Sequence, residues 1–303
     1  MLVIKARKKV FQALGGILAL LCVIIFIANP SFPTPDKLIF FLFFVFMAFG
    51  QATEGLKRFG GFIILILVYE SFRSIATQLN SHVNYTLAPS FDRTVFGNLP
   101  TVYLQKWLWH GKVVWYDFVL YVPYFLHFVI PLGLGILVWK TRDKYFWQVM
   151  NTYLVVAFAG FLTFLLFPAA PPWLASQNHY IQPIVSISTE VWNSLGIHNF
   201  PSIYNHLRPN PVAAIPSEHA AWAILLPIFV RKLYGYRWAI LASIYPLLII
   251  VGTMYEGEHY FFDIVVGVGY AIAAYKATPK IMDFVNARFS KKIKQWQRQA
   301  LKA

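Results

Sequence analysis

In a chain of 303 residues, 58% are hydrophobic and only 13% charged. That is about half the charge of a soluble domain and excludes an ordinary water-soluble globular protein. The net charge of +14 does not point to nucleic acid, because no basic motif with interleaved aromatics occurs outside the tails. The single cysteine, Cys22, excludes an intrachain disulfide.

Apolar runs near or above the roughly 18 residues that suggest a spanning helix recur along the chain. They predict an all-α polytopic membrane bundle of about eight helices, at 10–28, 38–53, 60–77, 116–139, 146–167, 218–234, 238–255 and 260–277. The first ends at Asn29-Pro30-Ser31-Phe32-Pro33 without a small-residue cleavage site, so it reads as a retained helix. The second is the weakest of the eight, because Gln51 and Thr53 enter it early. Two long polar connections, 78–115 and 168–217, interrupt the series. Within the first, segment 89–112 reads as an amphipathic surface helix roofing the outer mouth. The tail 280–303 places Ile281, Phe284, Val285, Phe289, Ile293 and Trp296 among lysines and arginines. It reads either as a helix on an anionic cytoplasmic leaflet or as a solvated tail.

Charge orients the series. With a cytoplasmic amino terminus, the inner loops and tails hold twenty of the 26 basic residues. The positive-inside rule then favours an even number of spans with both termini cytoplasmic. Both long connections fall on the opposite face, together with seven of the eight histidines; the eighth, His127, lies within the fourth span. The active site is therefore expected on the extracellular or lumenal face.

On that face stand two short polar motifs, Pro216-Ser217-Glu218-His219-Ala220-Ala221 and Gly257-Glu258-His259-Tyr260-Phe261-Phe262-Asp263. Ionisable groups at membrane depth are costly without a role or a partner. His259 and Asp263 are four apart at a helix start and share a face. A carboxylate beneath an imidazole holds its tautomer and stabilises its cation. An imidazole so oriented can attack phosphorus or act as a base; the same pair can also simply lock two helices. Ser217 is placed as an N-cap, at a helix amino terminus whose free N–H groups suit an anion. His219, in the first turn, is placed to protonate a leaving oxygen. Two histidines are what a two-step phosphoryl transfer requires.

These motifs resemble those of the type 2 phosphatidic acid phosphatase superfamily, in which a proline-serine-x-histidine motif and a later histidine-x-x-x-aspartate motif form the active site across a six-helix membrane core. The resemblance implies a catalytic core at 59–279, two additional helices within 1–58 and a basic tail at 280–303. It implies that His259 is the nucleophile, Asp263 orients it, His219 is the general acid and Ser217 holds phosphoryl oxygens. Three further stretches are similar to the inositol phosphorylceramide synthase (aureobasidin-resistance) branch: Phe167-Pro168-Ala169-Ala170-Pro171-Pro172-Trp173, Asn210-Pro211-Val212-Ala213-Ala214-Ile215, and Trp115-Tyr116-Asp117 through Pro123-Tyr124.

The wider superfamily pattern carries a lysine before arginine-proline, and serine-arginine ahead of the second histidine. Here those positions hold Pro201, Gly252 and Thr253. The phosphate charge still needs neutralising, and Arg208 is the first candidate, ahead of Arg93, Arg73, Lys106 and Lys112. Glu258, Asp117, Tyr124 and His127 are candidates for a headgroup pocket, with structural pairing an equal alternative for Tyr124 and His127. Glu218, Glu256 and Glu258 crowd the site, where they raise histidine basicity or bind a polyol or cation. No cofactor and no required metal are expected.

The function expected is a metal-independent lipid phosphatase or phosphotransferase acting on a phospholipid, isoprenoid or sphingolipid phosphate. Water or a second alcohol completes the reaction. The alternative is a non-catalytic lipid transporter or scaffold of the same fold.

Overall fold

The computed structural model describes residues 2–28, 35–196 and 210–300. Fourteen α-helices carry these residues, and no strand occurs among them. They begin with α1 (Leu2–Ala28), α2 (Pro35–Ala48) and α3 (Ala52–Leu79), and continue through the short α4 (Leu87–Phe96) and α5 (Pro100–Leu108) to α6 (Trp115–Phe125) and α7 (Val129–Thr141). After a single 3-10 turn come α8 (Phe146–Leu166), α9 (Pro172–Gln177) and α10 (Ile187–Ser194). The series closes with α11 (Glu218–Tyr234), α12 (Tyr236–Ala242), α13 (Ile244–Tyr255) and α14 (Phe261–Ala300).

Among the described residues, four stretches are by length and composition able to cross a membrane: Lys8–Ala28, Asp143–Leu166, Tyr236–Tyr255 and Phe261–Phe289. The pair α6 and α7 makes a fifth if counted as one span. The expected eight also drew on α2, α3 and α11. Of these, Lys37–Ala48 in α2 is apolar but short, α11 has 17 residues, and the side chains of 73–78 in α3 lie outside the described residues.

The fourth expected span is not one straight helix. Its halves bend by 56° between Phe125 and Val129. Pro131 has no N–H and its ring would clash with the carbonyl of His127 in a continuous helix. It sits instead in the first turn of α7, where no intrahelical donor is needed. The break leaves His127 at the elbow, with Tyr124 one turn before it. Segment 89–112 likewise divides into α4 and α5. Gly97 ends α4 in the left-handed region at φ 77°, and Pro100 opens α5.

The main core lies among α3, α7, α8, α11 and α14, around Phe59, Phe146, Met150, Tyr153, Leu225 and Phe229. A second cluster under the polar connections joins Ala88, Leu99, Ala175, Ile215 and Tyr260. α1 packs chiefly on α2 and leaves Ile17, Leu20, Ile24 and Ile25 exposed, as lipid-facing apolar surface requires.

At one end of the bundle the two long connections are tied together. The Ala169 amide donates to the Val212 carbonyl at 2.8 Å, and the Ala214 amide to the Ala169 carbonyl at 3.2 Å. Asn84 donates to Pro168 at 2.8 Å and accepts from Ala170 at 3.0 Å. The proline-rich stretch is thereby threaded between residue 84 and the approach to α11. Backbone bonding in a braid of this kind satisfies polar groups that a buried loop would otherwise strand.

Candidate active site

The starts of α11 and α14 meet beneath this braid. The Ser217 amide donates to the Asp263 carbonyl at 3.0 Å. At Gly267, one turn further along α14, an added Cβ would lie 2.3 Å from the Ser217 carbonyl oxygen. Only a residue without a side chain permits that approach, and it holds the two motifs in register.

The contact brings the histidines together. His219 Nδ1 lies 3.2 Å from His259 Nε2, and His259 Nδ1 lies 3.5 Å from Asp263 Oδ2. The same Asp263 oxygen accepts from the Tyr260 amide at 2.9 Å. His259 thus faces Asp263 with Nδ1 and His219 with Nε2. Asp263 is fully buried and His259 is only 5% exposed, so water does little to screen the pair. Ser217 caps α11, its hydroxyl accepting from the Ala220 amide at 3.2 Å. That bond leaves the hydroxyl hydrogen for another acceptor.

A cavity of about 280 Å³ opens beside His219 and His259. This is near the lower bound for small-molecule pockets. Tyr124, His127, Trp173, Asn210, Glu218 and Glu258 contribute to its wall. The Tyr124 ring stacks on His219 at 4.2 Å, and His127 lies 4.5 Å from His219 on its way to stacking against Trp222. Tyr69 donates its hydroxyl to Glu218.

Glu258 is anchored by the Ser188 hydroxyl and the Trp173 indole N–H. Burial still pushes its carboxyl up, against the lowering effect of those bonds and of His259. Behind it, Glu256 is 1% exposed and neither of its side-chain oxygens has a hydrogen-bond partner. Burial, then the charges of Glu258 and Asp117, push its carboxyl well above its ordinary value.

The structure thus gathers His259, Asp263, His219, Glu258, Tyr124 and His127. It places Ser217 at their base, outside the cavity wall. Asp117 is elsewhere: it accepts from the Val114 amide at 2.7 Å and the Tyr255 hydroxyl at 2.6 Å, fastening the start of α6 to the end of α13. Arg208 lies outside the described residues, as does the Arg73 side chain. Arg93 donates to Gln182 at 3.2 Å, and no lysine or arginine lines the cavity among the described residues.

One residue had no sequence signal pointing to the site. Asp92 of α4 is fully buried and accepts from the Phe261 and Phe262 amides at 2.9 and 3.0 Å. It caps the helix that carries Asp263. Burial first, with a contribution from Asp263, pushes its carboxyl up to about 6 despite those two amides.

These motifs meet at one end of an all-helical membrane bundle, and a profile of the PAP2 superfamily matches residues 90–277. The chain belongs to that superfamily and is an integral membrane protein. It is 30% identical over 152 residues to the phosphoinositol dihydroceramide synthase of Bacteroides thetaiotaomicron, covering 47% of this chain and 49% of that one. It is 24% identical over 242 residues to the inositol phosphorylceramide synthase catalytic subunit aur1 of Schizosaccharomyces pombe, covering 71% of this chain and 51% of that one. Both names fall in the branch that the three supporting stretches resemble. The chain spans about half the length of the curated relatives it matches. No solved structure matches it.

Proposed function

We propose that this chain is a membrane phosphotransferase that moves a phosphoryl-linked headgroup, inositol phosphate or a comparable polyol phosphate, to a lipid hydroxyl through a phosphohistidine intermediate. The observation that carries the reading is the 3.2 Å approach of His219 Nδ1 to His259 Nε2, with Asp263 behind His259.

In the first step His259 Nε2 attacks phosphorus, an N–P bond forms and the P–O bond to the leaving alcohol breaks. His219 gives its proton to the departing oxygen. Asp263 offsets the positive charge that develops on the His259 ring. In the second step the incoming hydroxyl gives its proton to His219, its oxygen bonds to phosphorus and the N–P bond breaks. Lipid phosphate hydrolysis is the same sequence with water as acceptor. The names of the two relatives favour an alcohol. All four motif residues are present, which weighs against a non-catalytic scaffold. No step requires a metal or cofactor.

The test is turnover by purified protein supplied with labelled phosphatidic acid, isoprenyl diphosphate, or ceramide with phosphatidylinositol. Wild type is expected to yield an acid-labile, base-stable phosphoprotein that His259→Ala does not form, and that variant is expected to lose turnover entirely. Unchanged turnover in His259→Ala would refute the covalent route. A product made equally with and without the lipid acceptor would assign hydrolysis.

A further inference from the structure

Asn210 stands out among the groups around the cavity. It is only 6% exposed and belongs to the cavity wall with His219 and His259. Its Oδ1 accepts from the Val212 amide at 3.0 Å, which fixes which end of the side-chain amide is oxygen. Its Nδ2 is buried and has no hydrogen-bond partner. A buried donor left without an acceptor costs free energy, and this one belongs to a residue that shares a cavity wall with His219 and His259. The same wall supplies carboxylates at Glu218 and Glu258 and no lysine or arginine among the described residues.

We infer that the Asn210 side-chain amide is a phosphate-binding group, donating from Nδ2 to a non-bridging oxygen of a phosphoryl group in the cavity that His219 and His259 line. The inference rests on the phosphotransferase reading above. It assigns a neutral donor to a task for which cations were expected at positions occupied by Pro201 and Thr253. The Val212 bond holds the amide plane so that the donor is preorganised, which is where such donors are most effective. Asn210 also ties the phosphate site to the braid, since Val212 is bonded to Ala169.

Two substitutions separate this role from a purely structural one. Asn210→Asp keeps an oxygen for the Val212 amide but replaces the donor by a negatively charged acceptor. Asn210→Ala removes both. Orthovanadate binding to the full-length protein in detergent, measured by calorimetry, is the probe, with kcat/KM on the lipid substrate measured in parallel. A donor to a charged oxygen predicts a loss of about 10- to 100-fold for Asn210→Ala, and a larger loss for Asn210→Asp. A structural role predicts the reverse order, with Asn210→Asp close to wild type, and that result overturns the proposal while leaving the phosphotransferase reading intact. Failure of wild type to bind vanadate also overturns the proposal. If the same protein lacks lipid turnover, the functional reading falls with it.

Discussion

The two ring nitrogens of His259 face different partners, Asp263 on one side and His219 on the other, and each side predicts a distinct kinetic signature. In the proposed mechanism His219 is the general acid of the step in which the leaving oxygen needs a proton. His219→Ala is therefore expected to lower kcat by about 10²- to 10⁴-fold on a lipid alkoxide leaving group. The loss should shrink toward a few-fold on a nitrophenyl phosphate, whose leaving group needs no proton. Equal losses on both substrates would place His219 in another role. These residues were legible in the sequence from the motif spacing, which puts His219 in the first turn of α11; His259, expected on the helix of Asp263, instead precedes α14 and still faces that carboxylate. The unpaired amide of Asn210 was not legible, because a side chain's lack of a partner is a property of the packed interior and has no linear signature.

At the scale of elements, α4 acts on the site without touching it. Asp92 caps α14, while Phe91 and Phe96 pack against Phe262 and Phe261 with ring centroids 5.0 Å apart. The folded chain holds the Asp92 carboxyl at about 6, above its ordinary 3.8, so the fold favours the protonated form. The stability from this shift is complete below pH 3.8 and is lost as pH rises through about 6. The stability of wild type relative to Asp92→Asn is therefore expected to decline between those pH values and level off above them. Thermal denaturation of both proteins from pH 3.5 to 7.5 checks this, and a gap independent of pH would show that Asp92 does not titrate in that window. The expectation of a surface helix over 89–112 captured the amphipathic pattern of α4 and α5. It carried no information on which backbone amides Asp92 would meet, because that contact joins segments about 170 residues apart. The elbow between α6 and α7 was marked by Pro131 four residues after His127, yet apolar continuity across 116–139 outweighed it in a reading based on hydropathy.

For the whole molecule, the helical class was evident from composition and apolar runs, whereas the number of crossings was not. Hydropathy marks a stretch that lipid tolerates, and α11, with 17 residues, falls short of a full span by length. We propose that both termini are cytoplasmic and the cavity opens to the opposite side, on the strength of the basic residues in the inner loops. A reporter fused after Ala303 is expected to be cytoplasmic, and one inserted at Gly111 in the first polar connection external. The reverse pattern, or termini on opposite sides, would overturn this topology.

The threading of the proline-rich stretch between residue 84 and residues 212–214 has a consequence for biogenesis. Membrane helices insert one after another as the chain emerges, but this braid closes only when its third segment has been made. Until then the cavity end of the bundle is an open rim, with the amide of Ala169 lacking the carbonyl it finally meets. The pocket is thus assembled late. Chains interrupted ahead of residue 212 should be membrane-inserted yet vulnerable to protease at 168–173, and completion of the braid should mark the point at which that segment becomes protected.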